Sequence, residues 1–477
     1  MSEATNELVL QPAVRQLEML RFGRVSVVEL AEAHIRQIER LNPQLNAIVD
    51  FDAERVRTQA RRLDAVRNAH GMLHGLPVTV KSSIATAGCR CEIGSLLNKG
   101  DIPKDDAVVV ARLRAAGALI LGTTNCPEFL MAYETANLLH GATRNPWDLD
   151  YSPGGSSGGE SAAIGAGLSA AGLGSDSGGS VRQPAHATGI CSLKPTPGRI
   201  PSRGHLPPNL GPFSTLGAIG PMARTIADVA LLFRTLSGQD PDEPGSPPLE
   251  YRERNLAELR RHPIGFFEDD GLVPVTEETR AAVNSAAAAL RDAGFRMEPF
   301  RPGILELLRK LWWKLFVQCG AMFYAPAIRG NERLLSPIFN EFLAIAASAR
   351  PLDAAQLLDA WAELDLLRAK ALAEMDEFSV LLGPVSSVPA FRHGERTWTI
   401  DGRAVEYLDA MRYTQWFNVL AAPAAVVPVG RAKTEAGSEL PIGVQIVARP
   451  YQDEVALGIA AIVDEAFGYT APPIAQS

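Results

Sequence analysis

The stretch GGSSGGESAAIGAGLSAAGLGSDSGGS (154–180) places ten glycines and seven serines in 27 positions. Serine hydroxyls are candidate nucleophiles, and glycines let successive backbone N–H groups converge without interference from a Cβ. A flexible linker is polar throughout. This stretch instead carries Ala162, Ala163, Ile164, Ala166 and Leu168 in its middle, as a tightly packed small-residue helix would. Amide hydrolysis needs an oxygen nucleophile, a base and backbone donors for the developing oxyanion. The segment DSGGS, with two glycines directly before Ser180, offers such donors, and a lysine, Lys81, closes the segment LPVTV (76–80). Taken singly, any one of these serines reads as a turn residue and Lys81 as a solvent-facing side chain. It is their combination that points to a serine nucleophile served by a lysine.

Other chemistries fit less well. A phosphate loop of the Walker type needs a lysine after its glycines, and none follows here. A dinucleotide fingerprint must close a strand and open a helix, which NPWDLDYSP (145–153) does not offer. Gly154–Gly158 matches the G-x-S-x-G elbow with Ser156 at its centre, but that mechanism wants a late histidine. Beyond residue 262 the chain has only His393, in the polar segment FRHGER.

The elements that must carry these groups alternate between strand and helix, which marks an α/β layer fold. Ser26 and Glu29 form a capping box that opens a helix running to Asn42-Pro43. LPVTV reads as a short strand, and residues 106–125 as a helix, a glycine stop at Gly117 and a buried strand, ALILG. Further strands are expected at 263–267, 379–385, 424–429 and 442–448, with helices at 276–294 and 453–467. Residues 303–376 read as almost wholly helical, a helical insertion or cap within one unit spanning 1–477. Its stripe from Trp312 to Tyr324 would serve as core, as a lid over an apolar pocket or as a partner face, and core is the default.

Composition excludes several classes. A formal charge of −8 argues against a nucleic-acid surface. The N-terminus lacks a secretory pattern, and the most apolar span, LWWKLFVQCGAMFYAPAI (311–328), is interrupted by Lys314, Gln318 and Pro326. Five sparse cysteines, with no metal-binding spacing, fit free thiols in a reducing cytoplasm.

The combination resembles the amidase signature family of serine hydrolases. The resemblance rests on GLPVTVKSS (75–83), GTTNCPEF (122–129), NPWD (145–148), PGGSSGGESAA (153–163) and GSDSGGSVRQPA (174–185). KPTPGRIP (194–201) and LPIGVQIVARP (440–450) extend it, so it covers most of the chain and weakens across 235–376. It implies a central mixed sheet covered by helices on both faces, with no metal or organic cofactor. By the family pattern Ser180 is the nucleophile, Ser156 the proton relay on a cis peptide, and Lys81 the base. The backbone of Ser177, Gly178, Gly179 and Ser180 forms the oxyanion hole. Leu130, Met131 and Tyr133 occupy positions that line the acyl channel in the fatty-acid-amide-hydrolase-like branch. Lysine with a pKa of about 10.4 is charged at pH 7, so burial must lower it for this role. Asp176 and Arg182 are expected to pair and brace the loop.

Two departures stand out: Ser82 where the family commonly has Asp, and Ser177 where Thr, Ile or Val is usual. The resemblance implies a small-molecule amide, carbamate or ester as substrate and leaves homo-oligomerisation open. A rival within the family is the glutamine-hydrolysing component of tRNA-dependent transamidation, whose branch usually reads KDN and DEFAMG where this chain has KSS and PEFLMAYE. A catalytically silent binding protein is disfavoured by the joint presence of Lys81, Ser156 and Ser180.

Overall fold

The computed structural model describes residues 3–66 and 71–476. Its centre is a mixed sheet of eleven strands. In chain order these are β1 (Ile48–Phe51), β2 (Pro77–Lys81), β3 (Leu119–Thr124), β4 (Ala171–Asp176), β5 (Cys191–Lys194) and β6 (Ala218–Ala223). They continue with β7 (Ile264–Phe266), β8 (Met297–Pro299), β9 (Val380–Pro384), β10 (Ala424–Lys433) and β11 (Glu439–Ala448). Across the sheet the order is β1-β3-β2-β4-β6-β5-β10-β11-β9-β7-β8. β2 is parallel to both neighbours, β3 and β4, while β4, β6, β5, β10 and β11 pair antiparallel in succession.

Successive side chains of a strand point to opposite faces. Val78 and Val80 of β2 join the largest apolar cluster, with Val109 and Leu113 of helix Val108–Ala115 and Val229 and Phe233 of helix Ile226–Leu236. Helices Glu277–Asp292 and Asp453–Phe467 complete that layer. Thr79 and Lys81 therefore face the other way, toward helix Gly158–Gly165. That second face is also covered by helices Arg182–Thr188 and Arg412–Val419. The pattern V-T-V-K thus sends two valines into the core and the lysine to the site.

Two expectations change. The first helix, Val27–Leu45, keeps its capping box but runs through Pro43. Pro43 has no N–H to give the Glu39 carbonyl, so it removes one ladder bond near the helix end, and Asn42 Oδ1 caps that end by accepting from the N–H groups of Ala47 and Ile48, each at 2.9 Å. The small-residue spacer is not one helix. It stops at Gly165, and Ala171–Asp176 becomes β4, flanked by β2 and β6. A Cβ on Gly172 would lie 1.8 Å from Glu160 Oε1, and one on Gly174 would lie 2.6 Å from Ser157 Oγ. The glycines of β4 are what let the helix lie against the sheet.

Between β8 and β9 the chain is helical: Leu305–Trp312, a π-helical turn Trp313–Gln318, then Cys319–Ile328, Pro337–Ala347 and Ala354–Glu374. Trp312, Tyr324, Phe339 and Phe342 pack there in a cluster that reaches Phe129, Met131 and Trp416. Among the described residues no helix is long and apolar enough to cross a membrane, and no group of three or more metal-ligating side chains occurs. All five cysteines are free and buried.

Candidate active site

Lys81 is fully buried at the end of β2. Its Nζ donates to Ser156 Oγ at 2.6 Å, Ser157 Oγ at 3.0 Å and Ser175 Oγ at 3.3 Å. Burial pulls its pKa down from 10.5 to about 8, against weaker opposition from Cys126, Asp176 and Glu160. Glu160, on the adjoining helix, accepts from the hydroxyls of Thr79 and Thr124, and its own burial pushes it up to about 8. Ser156 follows a cis peptide bond from Gly155. The Ser157 N–H donates to the Ser180 carbonyl at 3.1 Å, tying the two serine clusters together.

Residues 177–180 form a loop between β4 and helix Arg182–Thr188 whose carbonyls are held from outside. Trp312 Nε1 donates to the Ser177 carbonyl at 3.0 Å. The Tyr133 hydroxyl and Thr414 Oγ1 donate to the Gly178 carbonyl at 2.9 and 2.7 Å. Gly178 has no room for a side chain: a Cβ would lie 2.8 Å from the Trp312 ring and 3.1 Å from the Tyr133 hydroxyl. The Gly179 N–H donates to Asp176 Oδ1 at 2.8 Å, so an oxyanion would have to share that donor. Asp176 and Arg182 form a fully buried ion pair, extended by Arg182 to the Thr414 carbonyl and Asn418 Oδ1. Although burial opposes it, the guanidinium holds the Asp176 carboxyl well below the usual carboxylate range. The pair braces the loop, with both side chains fully buried.

Ser180 lines two cavities. The larger, about 560 Å³ when the space open to solvent at its mouth is counted, is walled by Leu130, Met131, Tyr133, Trp312, Phe316 and Phe342, so all three expected channel residues meet the nucleophile candidate there. Arg396 and Glu341 also line it, but Arg396 is paired with Glu341 at 2.6 Å and with buried Glu134 at 2.5 Å. The smaller, about 420 Å³, holds Ser156, Ser175, Ser177 and Ser180 together with His205 and Asn209. His393, the late histidine an elbow mechanism would need, spends both ring nitrogens on Glu134 Oε2 and the Thr143 carbonyl.

Sequence reasoning missed Thr414 and Asn418, which no local pattern marks, and His205, which stands in an unremarkable Pro-rich loop. Trp312 was visible only as one aromatic in a stripe.

A mixed sheet that presents a buried lysine to two clusters of serines beside an apolar cavity is suited to acyl transfer through a serine oxygen, the chemistry of an amide C–N hydrolase. The sequence model of the amidase family matches residues 29–457, and the chain belongs to that family. It is 32% identical to an indoleacetamide hydrolase of Bradyrhizobium diazoefficiens, over 96% of this chain and 87% of the relative. It is 33% identical to a glutamyl-tRNA(Gln) amidotransferase component of Roseiflexus castenholzii, over 93% of each chain. The solved structure of a 6-aminohexanoate cyclic dimer hydrolase, in complex with substrate, superposes with a TM-score of 0.83 at 28% identity, covering 98% of this chain and 99% of that one.

Proposed function

We propose that the protein hydrolyses aryl or alkyl amides, and by the same tetrahedral chemistry carbamates or esters, through an acyl-enzyme on Ser180. The observation that carries this reading is the 2.6 Å contact between buried Lys81 Nζ and Ser156 Oγ, beside a cavity that also holds Ser180. A neutral amine has two hydrogens and one lone pair for its three hydroxyl partners. The Ser157 hydroxyl donates to the Ser175 carbonyl at 3.4 Å and so accepts from Lys81. The lone pair then belongs with the closest partner, Ser156, whose proton it takes. Ser156 in turn takes the proton of Ser180, and the Ser180 oxygen attacks the carbonyl carbon. The N–H groups of Ser177, Gly178 and Ser180 meet the resulting oxyanion, preorganised because the carbonyl in each of their peptide planes is held: that of Asp176 by Asn418, that of Ser177 by Trp312 and that of Gly179 by the Gln183 N–H. Collapse breaks the C–N bond as Ser156 returns a proton to the leaving nitrogen. Water, deprotonated by the same relay, then releases the acid.

Because Ser156 lines the smaller cavity, the leaving nitrogen is placed there and the acyl group in the larger, apolar one. This partition favours a stand-alone amidase. The relatives named as amidotransferase components support glutamine as a second substrate class. A glutamine side chain, however, would enter a cavity whose charged groups, Arg396 and Glu341, already satisfy each other. The five buried thiols fit a cytoplasmic enzyme.

The test is a panel of anilide, primary amide, carbamate, ester and glutamine substrates, with mass spectrometry for an acyl adduct on Ser180. Turnover of the first four should fall by about 10³-fold or more in Ser180→Ala. Full activity of that variant, or turnover of glutamine alone in the presence of partner proteins, would overturn the reading.

A further inference from the structure

His205 carries a buried ring nitrogen that the mechanism above does not use. It lies in the loop after β5, joined to the turn after Lys81 by a bridge to Ile84 and by the Leu206 N–H, which donates to the Ser83 carbonyl at 2.6 Å. Its Nδ1 is 2.8 Å from the Pro207 carbonyl oxygen. A carbonyl can only accept, so Nδ1 carries the hydrogen and Nε2 is left with its lone pair. Nε2 is buried and has no hydrogen-bond partner among the described residues. The ring, 5% exposed, lines the smaller cavity with Ser156 and Ser180. Burial, reinforced by the charge of Lys81, lowers its pKa to about 4, so the imidazole stays neutral wherever Lys81 can act as a base.

An orphan buried acceptor is costly unless something it faces can donate to it. Resting on the hydrolase reading, the cavity it lines is the one that receives the leaving nitrogen. We propose that His205 Nε2 accepts the N–H of the scissile amide, making it the residue that selects N–H-bearing amides and carbamates over esters and N,N-disubstituted amides. During collapse the leaving nitrogen must turn its new lone pair toward the Ser156 hydroxyl. A nitrogen whose N–H is held by His205 presents that lone pair elsewhere, to Ser156, so the contact acts on kcat. An ester oxygen has no hydrogen for Nε2 and meets it lone pair to lone pair. A site built to bind a donor discriminates strongly against an analogue that lacks it.

The experiment compares an anilide with the phenyl ester of the same acid in wild type, His205→Phe and His205→Gln. His205→Phe should lower kcat for the anilide about tenfold and raise its KM about fivefold, with ester turnover within about twofold. His205→Gln, whose amide oxygen can accept, should stay within about threefold of wild type on both. An equal fall on anilide and ester, or no change on either, overturns the proposal. Should His205→Phe fail to fold, wild type alone decides: it should prefer the anilide to the N-methylanilide by more than about tenfold, and equal turnover overturns the assignment. Calorimetry separates this from the hydrolase reading. The anilide should bind Ser180→Ala about fivefold more tightly than Ser180→Ala/His205→Phe, even if wild type were to turn over no substrate. Equal binding to the two variants also overturns the role of His205.

Discussion

Residues 154–182 and residues 303–376 wall the same serine with opposite materials. The first region is glycine, serine and alanine, almost entirely buried, and it works through backbone groups and short hydroxyls. Its glycines are demanded by contact: Gly172 and Gly174 lie against Glu160 and Ser157, and Gly178 against Trp312. The second region works through large side chains, with Trp312 stacked on Phe316 at 4.8 Å and Phe342 and Ile338 completing the apolar cavity. One group crosses between them, the indole N–H of Trp312 on the Ser177 carbonyl. The lesson is a division of labour. On the proposed mechanism the first region supplies backbone donors and short hydroxyls, and the helical region supplies much of the apolar wall, with Leu130, Met131 and Tyr133 added from the loop after β3.

That division can be broken or sharpened at five positions. The largest effect belongs to Lys81→Met, which removes the base and should lower kcat by about 10³- to 10⁴-fold. The wild-type profile gives the companion result. On the proposed mechanism neutral Lys81 is the active form, and its pKa is lowered to about 8. So kcat/KM should climb with pH up to about 8 and level off above it, which a pH-stat series from 6 to 10 measures. A profile flat between pH 6 and 8 would remove Lys81 from the role. Next, Gly178→Ala forces a Cβ against Trp312 and should cost about 10²-fold in kcat by displacing the oxyanion donors. Trp312→Phe, losing the bond to the Ser177 carbonyl and part of the ring stacked on Phe316, should cost about tenfold. Ile338→Ala should leave kcat within about threefold and change only the preferred acyl length. If Ile338→Ala costs as much as Trp312→Phe, the two layers are not distinct. The smallest effect is that of Ser82→Asp, which places a carboxylate beside Lys81. Ser82 is buried, 3.2 Å from Cys126 Sγ, so the new charge would be poorly screened. The rising limb of the pH profile should move upward, and an unchanged limb would show that the missing acid does not tune the base.

The same contrast explains what could be read from the sequence. The position of Lys81 was legible because V-T-V-K alternates and strand periodicity is local. The serine clusters were legible because their composition is so uncommon in a packed segment. The strand Ala171–Asp176 was not, since alanine and glycine carry little strand preference, and what makes it a strand is its place between β2 and β6. Thr414 and Trp312 reach the loop from more than 130 positions away. Such contacts leave no spacing to detect. His205 shows the same limit, since only the folded loop reveals which of its nitrogens is committed and which is not.

Burying Lys81 also couples catalysis to the folding equilibrium. Its pKa is about 8 in the folded chain and about 10.4 in an unfolded one. Between those values the unfolded chain binds one proton more than the folded chain, so stability rises with pH across that window. Below pH 8 the lysine is charged in both states, and the folded form carries the full burden of an ammonium held away from water, on the order of 3 kcal/mol. The lysine's own contribution to stability is therefore smallest in the protonation state in which it is idle as a base. Activity should rise up to about pH 8, and the contribution of Lys81 to stability should rise above it.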